Sequence, residues 1–277
     1  MSYTLYVGTY ADGKTEGIRS FSVDFDRERT ELLAITPVEN PSYLALSPDT
    51  NIIYAVGETG ENTAQIYAFQ QESHGKLTMI DTRPALGGSP CHLAIANDSS
   101  FLAVSNYIGG TLILYGLQKD GRFASQEARI FKPDIPEGCV SRMHSAQFSP
   151  DGRRIFIANL GLDCLFSFPI LQRNYERKDG IAEFIDLANP SVIPLTKGDG
   201  PRHTVFHPSG EYLYCVNELS GKISAFKITE DTLECICETD PTEEERSGAA
   251  IRFSTVSVDR SFLYTSFRMP SGRISFF

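Results

Sequence analysis

The feature that most constrains this chain is a repeat. The segments ALSPDTNIIYAV (45–56), AIANDSSFLAVSN (94–106), QFSPDGRRIFIAN (147–159), VFHPSGEYLYCVN (205–217) and VSVDRSFLYTS (256–266) share one form. Each is an apolar run, then a Pro/Asx/Gly turn, then a second apolar run. The turn positions Asp49, Asp98, Asp151, Ser209 and Asp259 are 49, 53, 58 and 50 residues apart. A third apolar run follows each: QIYAFQ, TLILYGL, DCLFSFPI, KISAFKI and RISFF. A fourth, weaker run follows most: LTMIDT, EARIF, EFIDLA (183–188) and LECICET. The beginning, TLYVGTY then GIRSFSV then LLAIT, supplies runs two to four of a unit that lacks its first run.

Short apolar runs with turn residues between them read as strands, and no segment carries the period of a long amphipathic helix. A unit of four strands repeating every ~50 residues is the signature of a β-propeller blade. The fold class expected is therefore all-β, a single propeller domain over residues 1–277. A first unit lacking its first strand suits a ring closed between the two termini. The chain stops at RISFF, the third strand of the sixth unit. The expectation is about six blades, C-terminally incomplete, with an open strand edge that invites aggregation.

Composition narrows the function. With 277 residues, 41% of them apolar and 22% charged, the chain can bury a large core and is not disordered. The net charge of −10 argues against nucleic acid as a partner. An anionic small molecule would need a local basic cluster. MSYTLYVGTY, with no basic n-region and no long apolar h-region, does not read as a secretory signal, and no run reaches the ~18 apolar residues of a membrane span. The cysteines, at 91, 139, 164, 215, 235 and 237, show neither a CxxC pair nor zinc spacing. They read as buried free thiols of a cytoplasmic protein. No metal and no cofactor is expected.

Counting outward from the Pro208-Ser209-Gly210-Glu211 turn sets Arg202 opposite Asn217, with Glu218 one residue further out. Arg202, His203 and Glu218 thus gather at the open end of one hairpin. A shift of 58 residues carries His144 onto Arg202 and Asn159 onto Asn217; a shift of 50 carries Arg268 onto Glu218. His144, Arg202, Glu218 and Arg268 then lie on one rim of the ring, contributed by three successive blades. They are the candidate catalytic residues. His203, Asn217 and His92 are candidates for substrate contact. His92 equally suits a packed strand position, and Asn106, Asn159 and Asn217 suit bonding to backbone at strand ends. His207 belongs to its turn, His74 to a loop, and the acidic run at 240–246 to a solvated loop. Any one of these charges alone would be an ordinary surface group.

Two arginines, a histidine and a carboxylate at one mouth suit an anionic substrate with a carbonyl. Arginine forks bind carboxylate or phosphate and stabilise an oxyanion. Glu218 or His144 can activate water as general base. There is no GxSxG, no phosphate-cradling glycine loop and no HExxH. Direct attack of water on an ester is thus preferred to a covalent intermediate. The alternatives are proton transfer to carbon in a lactonising or isomerising enzyme acting on a dicarboxylate, and a non-catalytic interaction propeller. The absence of tryptophan removes the WD-repeat form of the last.

The segments YVGTY, NPSYLALSPD, MHSAQFSPDG, NLGLD, GPRHTVFHPSGEYLYCVNEL and LYTSFR…ISFF resemble the lactonase family with a seven-bladed propeller, which includes 6-phosphogluconolactonases of the propeller type and carboxymuconate-cyclising enzymes. The likeness runs over essentially the whole chain, and GPRH…FHP.G…VNEL is its most specific part. It implies a seven-bladed fold and a cytoplasmic hydrolase of glucose metabolism. Such an enzyme would open a sugar-acid lactone, 6-phosphogluconolactone first, in the pentose phosphate pathway. It implies active-site roles for His144, Arg202, Glu218 and Arg268. SFRMPSG here departs from the SNRG-like sequence usual at Arg268.

Overall fold

The computed structural model describes residues 2–125, 128–171, 185–229, 232–239, 246–257, 260–269 and 272–276. Six antiparallel sheets follow one another along the chain. The chain divides into two compact units, residues 1–130 and 131–277.

In the first unit, Ser2–Val7, Asp12–Asp24 and Arg29–Glu39 form a three-stranded sheet, as the opening runs predict. Leu44–Leu46, Ile52–Gly57, Gln65–Gln71 and Leu77–Pro84 form the second sheet. Pro90–Ile95, Phe101–Asn106, Thr111–Gly116 and the short Arg129–Phe131 form the third. In the second unit, the fourth sheet is Met143–Phe148, Arg154–Asn159, Cys164–Pro169 and Ser191–Pro194. The fifth is Pro201–Phe206, Tyr212–Asn217, Ile223–Ile228 and Leu233–Glu238. Arg246–Ser257, Arg260–Met269 and Arg273–Phe276 form the sixth. Two short 3₁₀ turns, Ser73–Gly75 and Leu160–Leu162, are the only helical elements among the described residues.

Several strands in the middle of their sheets are buried on both faces, so their sequences are continuous apolar runs rather than alternations. Phe101–Asn106 and Thr111–Gly116 are buried at every residue. In the second unit, Phe156, Leu165, Phe206, Leu213, Cys215 and Phe226 pack into one cluster and Val216, Ile223, Ile251, Leu263 and Phe267 into a second. The outer strand Leu233–Glu238 buries only Leu233.

The turn chemistry is local. The Ser149 hydroxyl lies 2.6 Å from an Asp151 carboxylate oxygen and accepts the backbone N–H groups of Arg153 and Arg154. Gly152 takes φ of 67°, a conformation that glycine adopts without steric cost. His207 Nδ1 accepts the Ser209 N–H at 3.1 Å, which confirms it as a turn residue.

Three sequence expectations need correction. The fourth strand of the fourth sheet is Ser191–Pro194, not EFIDLA. Ile193 there is buried against the core of the unit, while Ile185 makes only an isolated bridge to Ile170. The first part of EFIDLA, the turn residue Asp259 and most of the acidic run 240–246 lie outside the described residues. Arg202 does not face Asn217: Pro201 does, and His203 faces Val216. A β-bulge inserts Arg202 as an extra residue, which counting from the turn cannot detect. All six cysteines are free, but only Cys164 and Cys215 are buried; Cys91 is half-buried, and Cys139, Cys235 and Cys237 are exposed. Cys235 and Cys237 belong to the solvent-facing outer strand of the fifth sheet, where no layer covers them.

Candidate active site

The bulge that displaces Arg202 recurs in the fourth sheet, where Met143 pairs with Asn159, Ser145 pairs with Ala158, and His144 is left over. A bulge re-aims the side chain of its extra residue. His144 and Arg202 both use it to reach one carboxylate. Arg202 Nε lies 2.7 Å from Glu218 Oε2, and His144 Nε2 lies 3.6 Å from the same oxygen. Arg268, at the end of the second strand of the sixth sheet, brings Nη1 to 3.2 Å from Glu218 Oε1. Glu218 is therefore the hub of a cluster drawn from three sheets of the second unit.

Backbone geometry sets the hub. The Glu218 N–H donates to the Gly200 carbonyl at 2.7 Å, tying the carboxylate to the chain just before Arg202. Gly198 and Gly200, both at positive φ, donate their N–H groups to the two oxygens of Asp163 at 2.8 Å each. Asp163, at the end of the NLGLD segment, thus pins the Gly-Asp-Gly-Pro-Arg approach from the neighbouring sheet. Repeat counting gave no hint of this role.

The cluster is graded in exposure. The His144 side chain is 7% exposed, Arg202 13%, Glu218 17% and Arg268 48%. Burial, with the Arg202 charge next and Arg268 adding to it, pushes the His144 imidazole down to about 3. At neutral pH it is an uncharged ring beside two guanidinium groups. Two arginines, one carboxylate and a neutral imidazole leave a single net positive charge, a local reversal of the chain's −10.

The remaining candidates divide. His203 is buried, its Nε2 is 3.3 Å from Arg202 Nη1, and its ring meets that of His144 edge-on with centroids 5.4 Å apart. It thus touches both the arginine and the other imidazole of the cluster. Asn217 is fully buried, and its amide donates to the Ser224 hydroxyl at 2.9 Å, so it ties the strand end. Asn106 and Asn159 bond in the same manner, to Ala85 and Thr111 and to Ser141. His92 belongs to the first unit, buried in Pro90–Ile95 with its ring 4.2 Å from that of Tyr43.

Among the described residues, no group of three or more His, Cys, Asp or Glu side chains is arranged to hold a metal ion. No helix among them is long and apolar enough to cross a membrane.

Comparison with known proteins places this chain in a family. The model of the family described as Lactonase, 7-bladed beta-propeller matches residues 4–277. A 6-phosphogluconolactonase of Formosa agariphila is 30% identical over 277 residues, spanning 96% of this chain and 76% of that protein. One from Bacillus subtilis is 30% identical over 230 residues, 81% of this chain and 62% of that protein. A crystal structure from Bacteroides fragilis, provisionally named a 6-phosphogluconolactonase, matches with a TM-score of 0.86 at 26% identity, covering 100% of this chain and 77% of that one. The periplasmic gluconolactonase of Pseudomonas aeruginosa matches at a TM-score of 0.80 and 24% identity, over 100% of this chain and 82% of that one, a likeness of fold.

Proposed function

Because the chain belongs to the lactonase family of seven-bladed β-propellers, we propose that it hydrolyses a sugar-acid lactone, 6-phosphogluconolactone first, by direct attack of water. The observation that carries this reading is the convergence of Arg202, Arg268 and His144 on Glu218. The match from residue 4 to 277 runs through both units and supports treating them as one propeller domain.

In the proposed reaction, water attacks the lactone carbonyl carbon and gives a proton to Glu218. The carbonyl oxygen becomes an oxyanion, and the buried Arg202 guanidinium stabilises it. The carbon–ring oxygen bond then breaks, and the ring oxygen leaves as a hydroxyl with the proton that Glu218 held. The product is an open-chain acid. Glu218 is preferred as base over His144, because the other three side chains converge on its carboxylate and His144 is the most buried of the four. His144 acts instead as an uncharged wall beside the carboxylate oxygen that Arg202 meets, and His203 contacts the Arg202 guanidinium. Arg268, the most exposed of the four, is placed to meet the anionic part of the substrate.

Six free thiols suit a reducing compartment, and we place the reaction in the cytoplasm, within glucose metabolism by the pentose phosphate pathway. Cell fractionation tests the location; recovery in a periplasmic fraction would overturn it. The activity is tested by following acid release from 6-phosphogluconolactone and gluconolactone against their spontaneous hydrolysis. No acceleration of either by the purified chain would end the proposal.

A further inference from the structure

His144 meets Glu218 across two sheets that share no strand pairing. His144 comes from the fourth sheet, Arg202 and Glu218 from the fifth, and no strand of one is paired with a strand of the other among the described residues. Strand register therefore cannot set the 3.6 Å between the imidazole and the carboxylate. Asp163 is placed to set it.

On one side Asp163 is anchored beside His144. It follows the 3₁₀ turn Leu160–Leu162 and takes φ of 49° and ψ of 45°. Asn159 caps that turn: its side-chain oxygen accepts the Leu162 N–H at 3.1 Å and the Arg142 N–H at 3.0 Å. Asn159 is also the strand partner of Met143, the residue before His144. On the other side Asp163 holds the entry to the fifth sheet. Its Oδ2 accepts the Gly198 N–H and its Oδ1 the Gly200 N–H, at 2.8 Å each. An ionised acceptor makes such bonds stronger than neutral ones.

The Gly200 peptide carries the tie onward. Its carbonyl accepts the Glu218 N–H at 2.7 Å, and Arg202 lies two residues further along the chain. Gly200 has little room to shift. A Cβ there would sit 2.5 Å from Leu219 Cγ, and the preceding Asp199 carbonyl accepts the Leu219 N–H at 3.1 Å. One carboxylate thus links the segment beside His144 to the segment that bears Arg202 and Glu218.

We infer that Asp163 is a positioning residue that fixes the spacing between His144 and the Arg202–Glu218 pair across the two sheets. It acts through the Gly200 peptide and not on the substrate. Without the carboxylate the 196–200 segment loses two charge-assisted bonds, the gap between imidazole and carboxylate widens, and water reaches the His144 ring. The effect on turnover rests on the function proposed above; the spacing does not.

The test compares the wild-type chain with Asp163→Gly and Asp163→Asn. Glycine removes the carboxylate and adopts the positive φ without strain; asparagine keeps one acceptor oxygen. The first readout is the titration of His144 by nuclear magnetic resonance, its signals assigned with His144→Gln. The groups that face the ring, Glu218, Arg202, Arg268 and His203, are the same in all these chains. In wild type the buried imidazole should stay uncharged between about pH 5 and 8. In Asp163→Gly it should titrate within that range, back towards the ordinary 6.5. The second readout is lactone turnover. In Asp163→Gly kcat should fall by about 10–100-fold with KM within about threefold, and Asp163→Asn should recover part of the loss. Asp151→Ala is the control. It removes a carboxylate that accepts the Arg153 N–H at 2.9 Å, at the turn end of the His144 hairpin, and should keep wild-type kcat and titration. An imidazole that stays uncharged over this range in folded Asp163→Gly overturns the inference, and so does an equal loss of kcat in Asp151→Ala. If Asp163→Gly does not fold, Asp163→Asn carries both readouts. If the wild type hydrolyses no lactone, the proposed activity falls, and the His144 titration still decides the role of Asp163.

Discussion

Arg202 Nε lies 2.7 Å from Glu218 Oε2 although the two residues are not cross-strand partners. Pro201 occupies the paired position, and the bulge turns Arg202 out of the ladder and across to the residue beyond the strand end. The contact depends on the backbone irregularity as much as on the residue types. Replacing Arg202 with alanine should lower lactone turnover by about 10²–10³-fold, the usual cost of losing a preorganised oxyanion donor. Circular dichroism should stay that of a folded β protein, since Glu218 keeps Arg268. Arg202→Lys should recover little, because an ammonium lacks the planar fork. Turnover within about twofold of wild type in Arg202→Ala would remove this arginine from the mechanism.

Glu218→Gln separates chemistry from binding. The amide keeps the size but cannot take a proton from water, so kcat should fall by about 10²–10⁴-fold. The change also raises the net charge of the cluster by one. KM for a phosphorylated lactone should therefore stay level or fall. A variant that loses affinity but keeps kcat would reassign Glu218 from base to binding group.

His144 makes a pH prediction whose sign follows from its burial. Its folded value of about 3 is below the ordinary 6.5, so the unfolded chain binds the proton first as pH drops. Its contribution to stability is complete above about pH 6.5 and is lost progressively from there down to about 3. The loss is on the order of a few kcal/mol at the acid end. His144→Gln, which has no proton to gain, should flatten this part of the stability profile in urea melts from pH 7 to pH 3. An unchanged acid limb in that variant would mean that the imidazole is not held neutral. In the same window kcat/KM of wild type should show no limb near pH 6.5 from this residue.

The hairpins of this chain were legible because each is two apolar runs around a turn, and strands such as Ile52–Gly57 and Phe101–Asn106 are buried on both faces. QFSPDGRRIFIAN and VFHPSGEYLYCVN became Met143–Phe148 with Arg154–Asn159 and Pro201–Phe206 with Tyr212–Asn217, with the turns where Asp151 and Ser209 mark them. The same counting gathered His144, Arg202, Glu218 and Arg268. It mistook the partner of Arg202, because one extra residue in a strand leaves the pattern of apolar and polar residues intact. The weaker outer strands were harder to read. Ser191–Pro194 is short and only Ile193 of it is buried, so EFIDLA looked the better strand by composition alone. Asp163 escaped for a different reason. It acts by accepting the backbone N–H groups of Gly198 and Gly200, a role that leaves no chemical signature in the sequence.

Thiol accessibility gives an independent check on the outer strands. Burial pushes the Cys164 and Cys215 thiols up to about 12, so they should not react with a disulfide reagent at neutral pH in the folded chain. Cys139, Cys235 and Cys237 are exposed and should react, with Cys235 slowed because partial desolvation of its sulfur and the nearby Glu238 charge raise its value. All six should titrate in denaturant. Rapid native labelling of Cys215, located by peptide mass, would contradict its place in the core of the fifth sheet.

Gly248→Ala tests whether the sixth sheet presses on the site. The Asn217 carbonyl, 2.5 Å from the added Cβ, has little freedom to retreat. It accepts the Gly221 N–H, the Asn217 N–H donates to Lys222, and the Asn217 side chain is bonded to Ser224. The strand must shift instead, at a cost of about 1–3 kcal/mol. Because Glu218 is the next residue, kcat should fall together with the melting temperature. Gly210→Ala is the control. It strains a positive φ of 76° at the far turn of the fifth-sheet hairpin, with the nearest atom 3.7 Å from the added Cβ. It should lower stability while leaving kcat near wild type. Equal losses of kcat in the two variants would trace the effect to global loosening and not to the contact at Asn217.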